Sequence, residues 1–386
     1  MKASSYCLLL LLFSSCTKES WQSPSVKCSF NEEMNPNHSK ASDLEQLMNH
    51  YTSLGLPGIS MAVSSPEGLW AGAAGYSKIE DKSPMQPCHL QYGQSVAKTY
   101  MAVAILKMAD AGMLQLDQGI DEVLPQSVSE MITDASSISV RMLLNHTSGI
   151  DEYNDKASYV SYLLQHPLHE FSPMDYLGYI DGRPLDFTPG TDYRYSNTNY
   201  ILLAMIGDFL TGDHAAYIRS ELLEAAGLLN TFYHEDGFLE KEELVNTYWD
   251  RYSNGSLENC SKMHKTNVKT LIGDDGVVAT PFDFVLFSKA LHEGEFLSES
   301  MMKEMLSFRS STEYSYALGI HRDFYKENAE LGHTGGGIGA GCYLAYFPSN
   351  DTHVFIAVNI GTSIYSPIFE ELDQLSNDVF DIILAE

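Results

Sequence analysis

Residues 93–106 read GQSVAKTYMAVAIL, and the way this stretch is read decides the fold. Lys98 stands at the head of a run, Met101 to Leu106, that holds no charged residue and as a helix is buried on nearly every side. Helical i, i+3 spacing sets the Ser95 hydroxyl beside the Lys98 amine. Two readings compete. A lysine can run its methylenes along apolar surface and deliver its ammonium to water. Held away from water, it instead loses the hydration that favours its charged form, its pKa falls, and it becomes a base for a neighbouring hydroxyl. S-x-x-K alone favours the first reading. It occurs three times, at Ser15, Ser95 and Ser300, and Ser300 lies in SESMMKEML, a polar-faced helix in which Lys303 reaches water. Only Lys98 would be desolvated.

Two further stretches carry chemistry. In FTPGTDYRYSNTNYILLAMIG (187–207), Pro189-Gly190 make a turn and Tyr200 to Ile206 begin an apolar helix, so Tyr195 and Asn197 lie between a turn and a buried element and are aimed at a cleft. A phenol near a lysine ammonium ionises more easily and can act as a base. The second YSN, in DRYSNGSLEN (250–259), has no buried element beside it and reads as an exposed turn. In LGHTGGGIGAGCYLAYF (331–347), glycines at 335, 336, 337, 339 and 341 precede a strand, so another strand or a ligand approaches the backbone closely. No Gly-Lys-Ser/Thr follows, which rules out a phosphate-binding loop. An edge strand here offers N–H groups to an oxyanion and a carbonyl to a peptide, with a plain Gly-rich hairpin as the alternative.

Around these stretches the pattern is helix 41–56, then strand-like runs ISMAVSS (59–65) and LWAGAAGY (69–76) joined at Pro66-Glu67-Gly68. Helical and loop segments follow from Gln115 to about Thr270. Strands return at YALGI (316–320), CYLAYF (342–347) and HVFIAVNI (353–360), and an amphipathic helix closes the chain from about Pro367 to Leu384. This predicts one α+β domain, about 41–114 and 271–386, with a mostly helical part, about 115–270, inserted in it.

Ser95-x-x-Lys98, Tyr195-x-Asn197 and His333-Thr334-Gly335 stand in the order and at the rough separations of the three signature elements of the serine β-lactamase-like hydrolases. That family includes penicillin-binding D,D-carboxypeptidases, class C β-lactamases, D-aminopeptidases and related esterases. The phrases RMLLNHTSGI (141–150), GDDGVVATPFDF (273–284) and YALG (316–319) are similar too, so the resemblance spans about residues 41–386. It implies an antiparallel sheet flanked by helices with an inserted helical domain. It also implies that Ser95 attacks a carbonyl, that Lys98 and Tyr195 share the base role, and that Tyr195 protonates the leaving group. Asn197 would orient substrate or Lys98, the N–H groups of Ser95 and Gly336 would form the oxyanion hole, and His333, Thr334 and Gly335 would line the strand side of the cleft. No metal or cofactor enters such a reaction. Where β-lactamases of the family usually carry Lys, this chain has His333, mostly neutral near pH 7. Carboxylate recognition then needs Thr334 and a second cation, for which Arg322 in GIHRDF is the candidate and a surface arginine the plain alternative. His146 and Ser148 read as a helix end and turn whose polar side chains cap backbone groups, not as a catalytic pair.

At 386 residues, 44% hydrophobic and 19% charged, the composition is globular. The balance of 23 Lys+Arg against 51 Asp+Glu, net −28, excludes a nucleic-acid partner, which calls for clustered cations. MKASSYCLLLLLFSSC (1–16) has Lys2, an apolar stretch too short to span a bilayer, and Ser14-Ser15 before Cys16; it resembles a bacterial lipoprotein signal. The expectation is a leader over 1–15, lipidation at Cys16, a polar tether over 16–40, and a membrane-anchored or secreted protein of the bacterial cell envelope. Cys28, Cys88, Cys260 and Cys342 allow three disulfide connectivities, with Cys342 favoured as a lone buried thiol. The leading functional expectation is a D,D-carboxypeptidase-like or D-stereospecific peptidase, followed by an esterase, a β-lactamase, and a non-catalytic penicillin- or peptide-binding receptor.

Overall fold

The computed structural model describes Cys28 and residues 33–234, 236–309, 314–362 and 369–385; the leader and Cys16 lie outside these. An eight-stranded antiparallel sheet is built from both ends of the chain. The first end supplies β1 (Gly58–Ser65), β2 (Gly68–Lys78) and β3 (Ser83–Pro84). The second supplies β4 (Ser315–Tyr316), β5 (His321–Tyr325), β6 (Asn328–Gly336), β7 (Gly341–Phe347) and β8 (Thr352–Val358). The order is β3-β2-β1-β8-β7-β6-β5-β4, with the ends meeting where Ile59 faces Val358 and Val63 faces Val354.

Strand alternation gives the sheet two apolar faces. On one, Ile59, Met61 and Val63 pack with Leu44 and Met48 of α1 (Ala41–Leu54) and Leu375 and Val379 of α7 (Phe369–Leu384). On the other lie Ala62, Leu344 and Phe355, under α2 (Ala97–Asp110) and α6 (Pro281–His292). Thr280 caps α6, its hydroxyl accepting from the Asp283 N–H at 3.2 Å, with Pro281 at the first helical position. Two covered faces explain why β1 and β8 read as nearly unbroken apolar runs. Helix α2 is walled in further by α4 (Asn197–Thr211), so its residues Ala97 through Leu106 are all buried.

Residues 115–270 contribute short helices, among them α3 (Ala157–Gln165) and α5 (Ser261–Thr270), and small strand pairs. Thr231–Tyr233 and Gln91–Tyr92 flank Val277–Ala279 in a three-stranded sheet, and Tyr248–Trp249 pairs with Glu258–Asn259. Cys28 and Cys88 form a disulfide, while Cys260 and Cys342 are buried free thiols.

Two expectations are corrected. YALGI is not a strand: only Ser315–Tyr316 is extended, and the Ala317 N–H reaches the Ile320 carbonyl at 2.9 Å to close a tight turn through Gly319 at φ 77°. The strand is the next segment, HRDFY. The Gly-rich run does not merely precede a strand, since His333 to Gly336 are the last residues of β6. The β5 pairing stops at His321 opposite Gly332, which leaves the His333–Gly336 edge open toward the Ser95 turn.

Candidate active site

Before α2 the chain makes a 3₁₀ turn, Gln94–Val96, entered through Gln94 at φ 47°, a left-handed conformation that is uncommon without a purpose in a residue other than glycine. The turn leaves Ser95 half-buried and puts Lys98 in the first turn of the buried helix, fully inaccessible at 0% exposure. The snorkelling reading therefore fails. Lys98 Nζ donates to Ser95 Oγ at 2.9 Å and to the Asp274 carbonyl at 2.7 Å, and stands 5.1 Å from the centre of the Tyr195 ring. Lost hydration brings its pKa down to about 8, opposed by the carboxylates of Asp274, Asp275 and Glu152. At that value roughly one amine in ten is neutral at pH 7.

Those three carboxylates are functional neighbours that the sequence reading missed. Asp274 accepts from the Tyr153 hydroxyl at 3.0 Å through Oδ2, while its Oδ1 is buried without a partner. Burial lifts Asp274 to about 7 and Asp275 to about 6. Glu152 rises to about 7, also by burial, and accepts the N–H groups of Asn154 and Asn197, the second at the start of α4. A signal for the aspartates was present: a pair of acids bracketed by glycines inside the apolar context TLIGDDGVVAT. Gly273 has φ 75° and a Cβ there would fall 2.1 Å from the Tyr200 carbonyl, so the turn that carries the acids is pressed against α4.

Tyr195 enters from the loop before α4 beside Ser95. Burial pushes its phenol well above its ordinary range, and interaction with the Ser95 hydroxyl pulls the other way. The direction is opposite to that expected from a nearby ammonium alone, and it keeps the phenol protonated. The His146 ring lies tilted 4.3 Å from that of Tyr195, and its Nδ1 accepts from the Ser196 N–H at 3.2 Å. Ser148 donates to Asn199 at 2.7 Å and accepts from the Ile150 N–H at 3.1 Å. Both side chains hold the loop in place, as the turn reading of NHTSGI expects.

On the strand side, His333 is buried, accepts from the Tyr316 hydroxyl at 2.9 Å and donates to the Thr334 carbonyl at 2.6 Å. Burial, then repulsion from His321 and Lys98, holds its pKa well below the usual histidine range, so it is a neutral ring with both nitrogens engaged. Gly335 allows β6 to touch the nucleophile turn: a Cβ there would meet Cys342 Sγ at 2.5 Å and the Gly93 carbonyl at 2.7 Å. Asn197 and Gly336 line the same cleft as Ser95, a cavity of ≈ 460 Å³ whose far wall is Tyr159, Val160 and Leu163 on and beside α3. Two residues stand elsewhere. Thr334 alternates to the opposite face of the sheet, where it is exposed in a second cavity of ≈ 520 Å³ beside α7. Arg322 is half-buried on the sheet face it shares with Leu331 and His333, but its guanidinium rests 4.5 Å from the Phe308 ring and does not line the cleft. Among the described residues no group of three or more His, Cys, Asp or Glu side chains is placed to hold a metal.

The chain and its fold are similar to those of known proteins. The chain is 24% identical over 263 residues to penicillin-binding protein 4* of Bacillus subtilis (strain 168), a match covering 65% of this chain and 55% of that protein's length. Its fold is similar to that of a D-amino acid amidase from Ochrobactrum anthropi SV3, with a TM-score of 0.76 at 20% identity over 89% of this chain and 98% of that one. A D-stereospecific amidohydrolase from Streptomyces sp. superposes with a TM-score of 0.74 at 22% identity, over 84% and 95% of the two chains. The model of the Beta-lactamase family matches residues 41–368, from the first helix past the last strand of the sheet. On that match this chain belongs to the Beta-lactamase family, a family of serine hydrolases acting on acyl groups.

Proposed function

We propose that this protein is a D-stereospecific amide or peptide hydrolase that works through an acyl-enzyme on Ser95. The observation that carries the reading is the desolvated amine: Lys98 Nζ lies 2.9 Å from Ser95 Oγ with its pKa near 8. Neutral Lys98 takes the hydroxyl proton as Oγ bonds to the substrate carbonyl carbon, and the N–H groups of Ser95 and Gly336 receive the developing oxyanion. The protonated phenol of Tyr195 gives its proton to the leaving amine as the C–N bond breaks. Water then attacks the ester by the reverse proton path and frees the acid.

The substrate class follows from charge. A carboxypeptidase must hold a free carboxylate, yet His333 is neutral, Arg322 lies elsewhere, and among the described residues no arginine or lysine lines the cleft. Asp274 and Asp275 do line it, which favours a substrate with a free amino group. The likeness to a D-amino acid amidase and a D-stereospecific amidohydrolase supports the same choice. The leader-like N-terminus and the Cys28–Cys88 disulfide support export to an oxidising compartment, with Cys16 as lipid anchor in the bacterial envelope. Cys16→Ser should then move the protein from the membrane fraction to the soluble one.

The test is intact-mass analysis after incubation with a fluorophosphonate and, separately, a penicillin. Wild type should gain one adduct and Ser95→Ala none; no adduct on wild type, or one that survives in Ser95→Ala, sinks the assignment. Turnover of D-amino acid amides, D-Ala-D-Ala peptides, aryl esters and a cephalosporin is then compared. Fast ester cleavage with no amide cleavage rejects the substrate class, and an adduct without any turnover favours a receptor.

A further inference from the structure

The cleft beside Ser95 contains more unpartnered polar atoms than the proposed chemistry uses. Trp249 Nε1, His264 Nδ1 and Asn267 Nδ2 are all buried, all without a hydrogen-bond partner, and all three residues line the cavity that Ser95 also lines. Leaving a buried donor unpaired opposes folding, so three on one wall call for a partner that the free protein does not supply. His264 and Asn267 are i, i+3 neighbours on α5 and share a face. Trp249 ends a two-residue strand paired with Glu258–Asn259, the segment that leads into α5.

The identity of the free atoms fixes what they accept. The Gln94 amide and His264 Nε2 meet at 2.8 Å. Burial beside the Tyr92 ring, stacked at 4.3 Å, keeps the imidazole neutral, with its pKa down to about 3. A neutral imidazole that receives the Gln94 amide proton on Nε2 carries its own hydrogen on Nδ1, so the free atom is a donor. Asn267 presents its amide N–H toward the Tyr159 hydroxyl without closing a hydrogen bond to it. The indole nitrogen of Trp249 can only donate. Three donors converge on a cavity whose neighbouring carboxylates, Asp274 and Asp275, repel an anion. Gln94, which ties His264 down, is the residue next to Ser95, so the donors and Ser95 line one cavity.

We propose that Trp249, His264 and Asn267 form a subsite for an uncharged hydrogen-bond acceptor, the carbonyl oxygen of a second peptide group following the scissile one. The subsite rests on the reading of Ser95 as the acylated residue and sharpens it: the substrate is a peptide with a blocked or continuing C-terminus rather than a simple amide. Three compounds separate the possibilities. D-alanyl-D-alaninamide has the second carbonyl, D-alanine isopropylamide lacks it at similar shape, and D-alanyl-D-alanine replaces it with a carboxylate. Wild type should favour the first over the second by roughly tenfold or more in kcat/KM, and Trp249→Phe, which removes only the N–H, should narrow that ratio by roughly fivefold. Asn267→Leu should narrow it likewise.

The same ranking is read without turnover by calorimetric binding to Ser95→Ala, so the subsite is tested even where no compound is cleaved. Equal handling of the two amides, or a preference that Trp249→Phe leaves intact, overturns the subsite while a Ser95 adduct still supports the catalytic reading. Tightest binding of the free dipeptide overturns the uncharged acceptor.

Discussion

The charge that holds the base is open to a direct test in Asp274→Asn. Asp274 is the largest of the interactions that oppose the fall in the Lys98 pKa, which stands at about 8. The substitution keeps the shape of the side chain and the Tyr153 hydrogen bond, and leaves untouched the backbone carbonyl that accepts from Lys98 Nζ at 2.7 Å. An opposite charge close by moves a pKa by about one to three units. Because Asp274 itself titrates near 7, it is only partly ionised where Lys98 begins to lose its proton, and the lower end, about one unit, applies. The sign follows from the base. The productive form has a neutral amine, so the rate of acylation rises with pH through the apparent pKa of the pair, near 8 in wild type. Removing the aspartate destabilises the ammonium, so the rising limb moves down toward pH 7. At pH 6.5 the variant should therefore reach up to about tenfold more of its own limiting rate than wild type does. The assay is the rate of single-adduct formation with a fluorophosphonate between pH 5.5 and 9.5, followed by intact mass, which needs no knowledge of the substrate. A limb that stays in place, or moves to higher pH, refutes Lys98 as the titrating base held by this carboxylate.

Other consequences are simpler to read. Asp275→Asn should stabilise the fold: burial lifts the aspartate from 3.8 to about 6, so its ionised form opposes folding, with no effect below pH 3.8 and the full effect, about 3 kcal/mol, above pH 6. Thermal melts at pH 4 and pH 8 check this, and a gain equal at both would contradict it. Gly335→Ala forces a Cβ to 2.7 Å from the Gly93 carbonyl and so pries β6 from the nucleophile turn; acylation should fall by roughly 100-fold while circular dichroism stays native. Cys28→Ser opens a loop of 60 residues and should cost about 4 kcal/mol, seen as a lower denaturant midpoint that reductant reproduces in wild type. Arg322→Ala should leave fluorophosphonate labelling within about twofold of wild type, since the guanidinium rests on Phe308 outside the cleft; a large loss would return it to the site.

What the sequence could say depended on whether a residue's role was local. Ser95, Lys98, Tyr195 and Asn197 sit at the starts of apolar helices, and the cost of a lysine at the head of such a helix is visible in one dimension. The helices α1, α2 and α7 and the strands β1, β7 and β8 were legible for the same reason, since burial on one face or two writes its period into neighbouring residues. HRDFY in β5 was not, because half of it is polar and its register comes from pairing with β6. The environment of Lys98 was less legible still. Burial lowers its pKa, and the acids that oppose that fall, Asp274, Asp275 and Glu152, reach it from positions 54 and 176 residues or more along the chain, where each acid alone in sequence resembles any other. The same distance hides the donors of the cleft: Trp249, His264 and Asn267 match no pattern and become a set only when α5 folds against the Gln94 turn. The three motifs therefore point to a serine and a candidate base, whereas the proposed choice of substrate rests on side chains that the fold alone assembles. Thr334 and Arg322 make the point in reverse. Thr334 was assigned to the site as part of its motif, and strand alternation turns it to the face opposite His333; Arg322 was assigned by nearness to that motif, and although it shares the His333 face its guanidinium rests on Phe308 instead.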